Sequence, residues 1–242
     1  MKASLFVTCI ADNFFPQVGE SVVKILKKGG VELDFPDEQT CCGQPAFNAG
    51  YWDEAREVAK GLIKAFEKSE YVVSPSGSCV AMIKEDYLQL FAGDQLWESR
   101  MRELGDKTYE FTQFLVNVLK VEDIGCRRKA KVVYHPSCHA TRLLGIQEEP
   151  LKILHNVKEL ELLDLPHADQ CCGFGGTFSV KMAAVSEEIV EEKVRNILQS
   201  GADIVTGVDL GCLMNIGGRM EHQGHPVEAI HIAQLLAEGM EA

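Results

Sequence analysis

Short apolar runs alternate with longer amphipathic segments along the first part of this chain. The apolar runs at 3–9, 31–33 and 71–73 have the length and composition of buried strands. Between them, the segments 18–26 and 53–68 place their apolar residues on one face of a helix. Alternating strands and helices predict an α/β fold in which helices pack on a parallel sheet.

The second part of the chain shows the same alternation. It has a strand pattern at 131–135, a long helical pattern near 178–199 and a strand pattern at 203–206. The segment from 90 to 125 is predicted to be helical and to join the two parts.

Cysteine is the residue whose spacing carries the most information. The nine cysteines are Cys9, Cys41, Cys42, Cys79, Cys126, Cys138, Cys171, Cys172 and Cys212. Eight of them form two sets with one order: a single cysteine, a Cys-Cys-Gly triplet and another single cysteine. Matching members lie 129, 130, 130 and 133 positions apart, and Cys126 alone has no counterpart. A repeat at this spacing indicates an internal duplication.

The duplication and the strand pattern together predict the domain organisation. We expect two pseudo-symmetric, duplicated lobes, each a small parallel sheet flanked by helices. The first cysteine-rich repeat is assigned to 1–90, a helical connector to 91–127 and the second repeat to 128–242.

Charge and composition exclude several classes of partner. The 242 residues include 24 basic and 36 acidic ones, a net charge of −12, and no basic tract. Binding to nucleic acid or to an anionic membrane surface is therefore not expected. No apolar stretch reaches the ~18 residues of a membrane span, and 1–15 lacks the features of a signal peptide. We predict a cytoplasmic protein, whose clustered thiols stay reduced and suit metal better than disulfides.

In each repeat, the cysteines follow predicted strand ends, where α/β sheets gather their binding sites. Four thiols of one lobe can meet there, and we favour an iron–sulfur cluster, because neighbouring thiolates can bind different irons. A zinc ion, a redox dithiol and plain buried thiols remain alternatives. Gly43 and Gly173 follow the paired cysteines and are expected to let the backbone approach a cluster with positive φ.

Several other residues near the cysteines are weaker candidates. His135 and His139 flank Cys138, and either could donate to a cluster sulfur or serve as an ordinary surface or capping residue. Arg142 could offset cluster charge or pair with a carboxylate. Cys126 is not expected to be a ligand. The glycine-rich segment 173–177 matches neither common nucleotide-binding pattern.

The motifs around the cysteines resemble those of a known family. The segments that carry the resemblance are 5–9, 41–46, 74–79, 137–145, 171–182 and 211–218. Paired repeats with a Cys-Cys-Gly core look like the CCG-domain proteins, which include components of heterodisulfide reductase and of glycerol-3-phosphate dehydrogenase. Over essentially its whole length the chain is similar to the lactate utilisation protein A family.

The resemblance implies a role in oxidising L-lactate to pyruvate, which allows growth on lactate as carbon source. It implies an iron–sulfur electron-transfer component of an oxidoreductase complex, working with lactate utilisation proteins B and C. The ligands would be two quartets, one for a [4Fe–4S] cluster in each lobe: Cys9, Cys41, Cys42 and Cys79, and Cys138, Cys171, Cys172 and Cys212. Gly43, Gly173 and His139 would lie against the clusters.

The sequence departs from one feature of the relatives. Proteins like heterodisulfide reductase end each repeat with Cys-x-x-Cys, whereas this chain has Met82 and Asn215 at the last position. The non-cubane cluster of that enzyme is therefore not carried over. A catalytic CCG-cluster enzyme and a zinc-stabilised protein without enzymatic activity are the alternatives to the electron-transfer role.

Overall fold

Two parallel four-stranded sheets of identical topology form the scaffold of the computed structural model, which describes residues 1–240. The first sheet has the order β2-β1-β3-β4 and the second β6-β5-β7-β8. The strands are β1 (Lys2–Leu5), β2 (Glu32–Asp34), β3 (Val72–Ser74), β4 (Thr108–Glu110), β5 (Arg127–His135), β6 (Lys158–Leu163), β7 (Ile204–Gly207) and β8 (Glu228–His231). The predicted α/β fold with two duplicated lobes is confirmed.

Helices cover both sheets. Those of the first lobe are α1 (Cys9–Phe14), α2 (Pro16–Lys28), α3 (Gln44–Asn48), α4 (Trp52–Ala65), α5 (Gly77–Ala81), α6 (Tyr87–Leu90), α7 (Gln95–Lys107) and α8 (Phe111–Gln113), with π-helical turns at Met82–Asp86 and Phe114–Val118. Those of the second are α9 (Glu148–His155), α10 (Phe178–Lys181), α11 (Ala183–Ser200), α12 (Leu210–His222) and α13 (Ile232–Gly239), with a π-helical turn at His139–Leu143. Within residues 1–240, none of these helices combines the length and the apolar character needed to cross a bilayer.

The local sequence explains where the predicted elements begin and end. Helix α2 starts at Pro16, which fixes φ in the first turn, and stops before Gly29-Gly30, where Gly30 adopts φ +76°. Strand β3 is buried along its whole length. The helical pattern at 53–68 corresponds to α4, whose inward residues include Ala55, Leu62 and Ile63.

The helical interpretation of 91–127 is incomplete. This segment holds α7 and α8, but Thr108–Glu110 pairs with β3 as the fourth strand of the first sheet. The sequence of this strand, Thr-Tyr-Glu, contains no apolar run from which a strand could be predicted. Neighbouring elements bury it all the same. Strands β6 and β8 were not predicted either. Strand β6 is rich in charged residues, and β8 is short and lacks a clear apolar run.

The two lobes share a continuous apolar core. Buried residues from the first lobe, such as Val22 and Leu26 on α2, belong to the same cluster as Leu235 and Leu236 on α13 of the second. The symmetry-related contact packs α9 against α8. Burial of this shared apolar surface holds the sheets in a fixed relation.

A buried carboxylate also joins the lobes. Asp209 is 4% exposed and caps α12 by accepting from the Gly211 N–H at 3.2 Å. Its other oxygen accepts from the Ser78 N–H of the first lobe at 2.8 Å and from the Ser76 hydroxyl at 3.4 Å. Ser76, which caps α5 by accepting from the Cys79 N–H, occupies the equivalent position in the first lobe. One carboxylate therefore fixes two helix starts that each carry a cysteine.

Replacing this carboxylate is expected to destabilise the protein. Asp209→Ala leaves the buried Gly211 N–H and the partly buried Ser78 N–H without their acceptor, and each such group costs ~1–3 kcal/mol. We expect the free energy of unfolding in urea to fall by about 3 kcal/mol. Asp209→Asn, which keeps one carbonyl oxygen, is the control and should lose less than half as much. Equal stability of the alanine variant and the unaltered protein would contradict the bridging role.

Candidate metal centres

The cysteines cluster at the carboxyl edges of the two sheets. In the first lobe, Cys9 begins α1 just after β1, and Cys79 lies in α5 just after β3. Strands β1 and β3 are neighbours whose connections leave in opposite directions along the sheet. This change of direction opens the crevice in which α/β proteins bind their ligands. The Cys-Cys-Gly loop that follows β2 reaches the same crevice.

The four thiols of the first lobe form a chain of sulfur contacts. Cys9 Sγ lies 3.7 Å from Cys41 Sγ, and Cys42 Sγ lies 3.5 Å from Cys79 Sγ. The Cys42 and Cys9 thiols both donate to Cys41, which lowers the pKa of Cys41 to about 3. The same contacts, together with burial, raise the pKa of Cys9 and Cys42. One thiolate surrounded by thiols is the charge state that this geometry favours.

The second lobe repeats the arrangement in the same order. Donation from Cys138, and then from Cys172, lowers the pKa of Cys171 to about 2. The pKa of Cys172 is raised by its contacts with Cys171 and Cys212 and by burial. In each lobe the four cysteines, which are far apart in the sequence, therefore lie side by side, as their spacing predicts.

All eight thiols open into one cavity of about 500 Å³ between the lobes. The spacing of the cysteines gives no sign that the two quartets share one cavity. The cavity walls are largely apolar, and Asp209, already engaged by backbone N–H groups, is the one carboxylate among the lining residues within 1–240. The apolar lining residues are Ile10, Phe14, Phe174, Val180, Leu210 and Met214, among others.

Side chains from the neighbouring helices anchor both Cys-Cys loops. The Tyr87 hydroxyl donates to the Cys42 carbonyl at 2.8 Å, and the Asn215 amide donates to the Cys172 carbonyl at 2.8 Å. Asn215 and Met82 stand at the two positions where proteins like heterodisulfide reductase have the last cysteine of each repeat. Met82 is buried in the first-lobe core. These two positions are therefore structural in this chain, which the sequence pattern did not reveal.

The chain before each Cys-Cys pair is held as well. In the first lobe, the Gln39 amide accepts from the Val7 N–H at 3.0 Å and donates to the Leu5 carbonyl at 3.1 Å, which ties the loop to the end of β1. In the second lobe, the buried Lys193 ammonium on α11 donates to the carbonyls of His167 and Ala168 at 3.0 and 3.1 Å.

Gly43 and Gly173 act through their backbone. Both have positive φ, +87° and +82°, and their N–H groups donate to the sulfur two residues before, Cys41 at 3.4 Å and Cys171 at 3.3 Å. Neither glycine is among the residues that line the cavity. A Cβ on Gly173 would lie 2.7 Å from the Ser186 carbonyl oxygen on α11, so glycine also permits the loop to pack on that helix.

The remaining predicted residues separate into different environments. His139 lines the cavity, whereas the Arg142 guanidinium donates to the Asp169 carbonyl at 3.2 Å and braces the second Cys-Cys loop. Cys126 lies in the shared core, where its thiol donates to the Leu236 carbonyl at 3.1 Å. His135 is 1% exposed at the end of β5, and its ligating nitrogen lies within 4.8 Å of the Cys172 and Cys212 sulfurs.

The donor set fits a soft metal centre. Each quartet offers four sulfur atoms, which as thiolates bind iron and zinc, and the oxygen ligands that select magnesium or calcium are not gathered there within residues 1–240. The four-thiol count equals that of an iron–sulfur cluster. The buried His135 ring, with neither nitrogen paired to a described residue, also indicates a missing polar partner beside the second quartet.

The comparisons with known proteins agree with this geometry. The sequence model of the cysteine-rich domain family, CCG, matches twice, at residues 3–84 and 132–217. Lactate utilization protein A of Geobacillus sp. (strain WCH70) is 56% identical over 236 residues, covering 98% of this chain and 99% of the relative. Lactate utilization protein A 2 of Bacillus cereus (strain AH820) is 52% identical over 240 residues, covering 99% of each chain.

One solved structure that matches in fold shares far less of its sequence with this chain. Glutamate racemase isoform RacE1 from Bacillus anthracis is 11% identical, with a TM-score of 0.37 over 100% of this chain and 80% of that one.

The backbone geometry of the glycines predicts graded effects of alanine. Gly173→Ala combines an unfavourable φ with a Cβ that would overlap a backbone oxygen, so we expect a loss of about 3 kcal/mol of unfolding free energy. Gly43→Ala meets the Ala55 carbonyl at 3.3 Å and should lose about 2 kcal/mol. Gly176→Ala is the control, since its φ is +64° with no atom within 4 Å, and should lose about 1 kcal/mol. Urea denaturation measures all three, and a Gly173→Ala variant no less stable than Gly176→Ala would contradict the packing argument.

Proposed function

Since the chain belongs to the lactate utilization protein A family of cysteine-rich CCG-domain proteins, we propose that it is an iron–sulfur electron-transfer component of a system that oxidises L-lactate to pyruvate. The observation that carries the proposal is the convergence of two equivalent thiol quartets on one cavity between the lobes. The substrate comes from the names of the relatives. The chemistry of the centre comes from the residues.

Each quartet would hold one cluster. Cys9, Cys41, Cys42 and Cys79 would supply the ligands of the first, and Cys138, Cys171, Cys172 and Cys212 those of the second. Such clusters, when bound, supply one-electron redox chemistry, with a potential set by charge, solvent exposure and hydrogen bonds to sulfur.

The protein's own groups prepare the site for anionic sulfur. The Gly43 and Gly173 N–H groups donate to the sulfurs of Cys41 and Cys171, which favours the thiolate form that binds metal. Hydrogen bonds from Tyr87 and Asn215 fix the loop carbonyls, so the cysteine side chains keep their direction without a metal. Little of the ordering cost therefore falls on the binding step.

The mouth of the cavity suits a redox partner. Phe14 and Val180 line the cavity and yet are 67% and 80% exposed, and Met182, two residues after Val180 in the chain, is 51% exposed. Large exposed apolar side chains at one place mark an interaction surface. We propose that this rim, Phe14, Val180 and Met182, contacts one of the companion proteins, lactate utilisation protein B or C, and brings its redox centre close to the thiols.

One rival assigns catalysis to the chain itself. The shared cavity favours it, because a space bounded by both quartets could admit a small 2-hydroxy acid or a disulfide substrate. In that case the isolated, metal-loaded chain would turn over such a substrate with an artificial electron carrier. The electron-transfer role predicts no turnover until companion proteins are added.

Metal loading provides the direct test. After anaerobic reconstitution with iron and sulfide, the unaltered chain should bind both elements in equal amounts and develop iron–sulfur absorption and EPR signals. Cys42→Ala and Cys172→Ala should each lose about half of the iron, because each removes a ligand from one quartet only. Cys126→Ala is the matched control and should retain all of it, since its thiol lies in the shared core.

Two results would contradict the proposal. One is a colourless protein that takes up stoichiometric zinc and no iron under the same conditions, which would support the zinc-stabilised alternative. The other is growth on L-lactate supported by a chain in which all eight quartet cysteines are replaced.

The rim makes a separate prediction. Replacing Phe14 and Val180 together by serine should slow electron transfer between the loaded chain and its companion by about tenfold, a binding loss of about 1.4 kcal/mol. Iron content should not change. Leu96→Ser, which removes a 64% exposed leucine from α7, is the control and should transfer electrons at the unaltered rate. A rim variant with an unchanged rate at subsaturating companion would contradict the docking assignment.

A further inference from the structure

The two lobes differ at one buried position beside the thiols. The residue three positions before the first cysteine of each quartet is Phe6 in the first lobe and His135 in the second. Both are 1% exposed: Phe6 directly follows β1, and His135 is the last residue of β5. Phe6 packs edge-on against Phe66, in the same apolar cluster as Cys42 and Cys79. Duplication therefore placed an aromatic ring behind each quartet, but only the ring of the second lobe carries nitrogen.

The His135 ring has no hydrogen-bond partner among residues 1–240. Neither Nδ1 nor Nε2 is paired, although buried polar groups in proteins are almost always paired. The charged groups around it are engaged elsewhere: the Lys193 ammonium donates to the His167 and Ala168 carbonyls, the Asp209 carboxylate accepts backbone N–H groups, and the Cys171 sulfur accepts the Gly173 N–H. A ring nitrogen lies within 4.8 Å of the sulfurs of Cys172 and Cys212.

The position of the ring selects one role among those open to histidine. His135 does not line the cavity, whereas Cys172 and Cys212 do, so the ring approaches these sulfurs from the protein side. From there the ring is placed to donate an N–H to a ligand sulfur once metal is bound, whereas the quartet would hold iron from the cavity side. Hydrogen bonds to ligand sulfur stabilise the added negative charge of a reduced cluster and raise its reduction potential.

We infer that His135 is a positioning residue that donates an N–H hydrogen bond to a ligand sulfur of the second-lobe centre and raises its reduction potential above that of the first-lobe centre. This inference rests on the proposed iron–sulfur function. It makes the two otherwise equivalent lobes chemically unequal, with the second as the better electron acceptor.

Variants at the two equivalent positions test the inference in the full-length, reconstituted chain. His135→Phe installs the residue of the first lobe and should weaken reduction of the second-lobe centre about tenfold, a shift of ~59 mV for one electron. Iron and sulfide contents should stay unchanged. His135→Asn, whose amide can still donate, should recover part of the shift. Phe6→Leu alters the equivalent apolar position without adding or removing a donor and should leave both potentials where they were.

The centres are told apart by repeating the titration in a Cys42→Ala background, where the remaining EPR signal belongs to the second lobe. A His135→Phe shift must persist there. If the His135→Phe variant of the otherwise unaltered chain keeps its iron and the reduction potentials of both centres are unchanged, the inference is wrong while the iron–sulfur function stands. If the unaltered chain binds no iron, both are wrong.

A second measurement detects the ring nitrogen itself. In the Cys42→Ala chain labelled with ¹⁵N-histidine, pulsed EPR of the reduced second-lobe centre should show a weak nitrogen coupling, as expected through a hydrogen bond, and His135→Phe should remove it while the cavity-lining His139 stays in place. A strong coupling would mean that a histidine binds iron directly, and the absence of any coupling would mean no contact. Either result would overturn the inference.

Discussion

The site of this protein depends on one constraint, the close approach of four cysteine sulfurs in each lobe. Thiol sulfurs lie 3.5 and 3.7 Å apart in the first lobe, which neutral thiols tolerate through hydrogen bonds. Two thiolates at such a distance would repel by about 4–5 kcal/mol at an effective dielectric of ~20. An empty quartet can therefore carry little more than one negative charge, and Cys41 and Cys171 are the positions that hold it. Full deprotonation requires cations among the sulfurs, so the geometry couples thiol ionisation to metal binding.

The scaffold must bear this crowding without collapsing into the cavity. It does so by fixing backbone rather than side chains: Gln39 ties one loop to the end of β1, and Tyr87 and Asn215 hold the carbonyls of Cys42 and Cys172. Thr8, just before Cys9, even adopts φ +73°, a conformation that costs a residue other than glycine ~1–3 kcal/mol. Strain of this kind persists where the surrounding structure fixes the chain, and here it aims the first thiol of the quartet.

Much of the fold and of the candidate site follows from the sequence, for identifiable reasons. Strands β1, β3, β5 and β7 are buried enough to leave apolar runs, and the repeated spacing of Cys-Cys-Gly marks the duplication. Strand β4 left no such signal, because Thr108–Glu110 is buried by its neighbours and ends in an acid that caps the following helix. The anchoring roles of Asn215 and Asp209 could not be predicted either. The role of Asp209 depends on how the two lobes face each other across the cavity, and that relation is set by the shared core around α2 and α13. The role of Asn215 depends on how α12 packs on the Cys-Cys loop of its own lobe.

The duplication of the lobe explains why the thiols lie between two lobes. The residues that differ between the two copies make the two halves of the site chemically different. In a single lobe, the thiols at the carboxyl ends of the strands would face solvent. In the duplicated chain all eight thiols line one cavity, so each lobe shields the sulfurs of the other. The same interface allowed equivalent positions to diverge, because each needs only to satisfy its own lobe. Ser76 caps one helix, but its counterpart Asp209 caps one and reaches the other. Among residues 1–240 the lobes also differ in α7, which the first has and the second lacks. For the electron-transfer role proposed above, two equal centres would give electrons no preferred direction, so that role would depend on the chemical differences between the lobes rather than on their likeness.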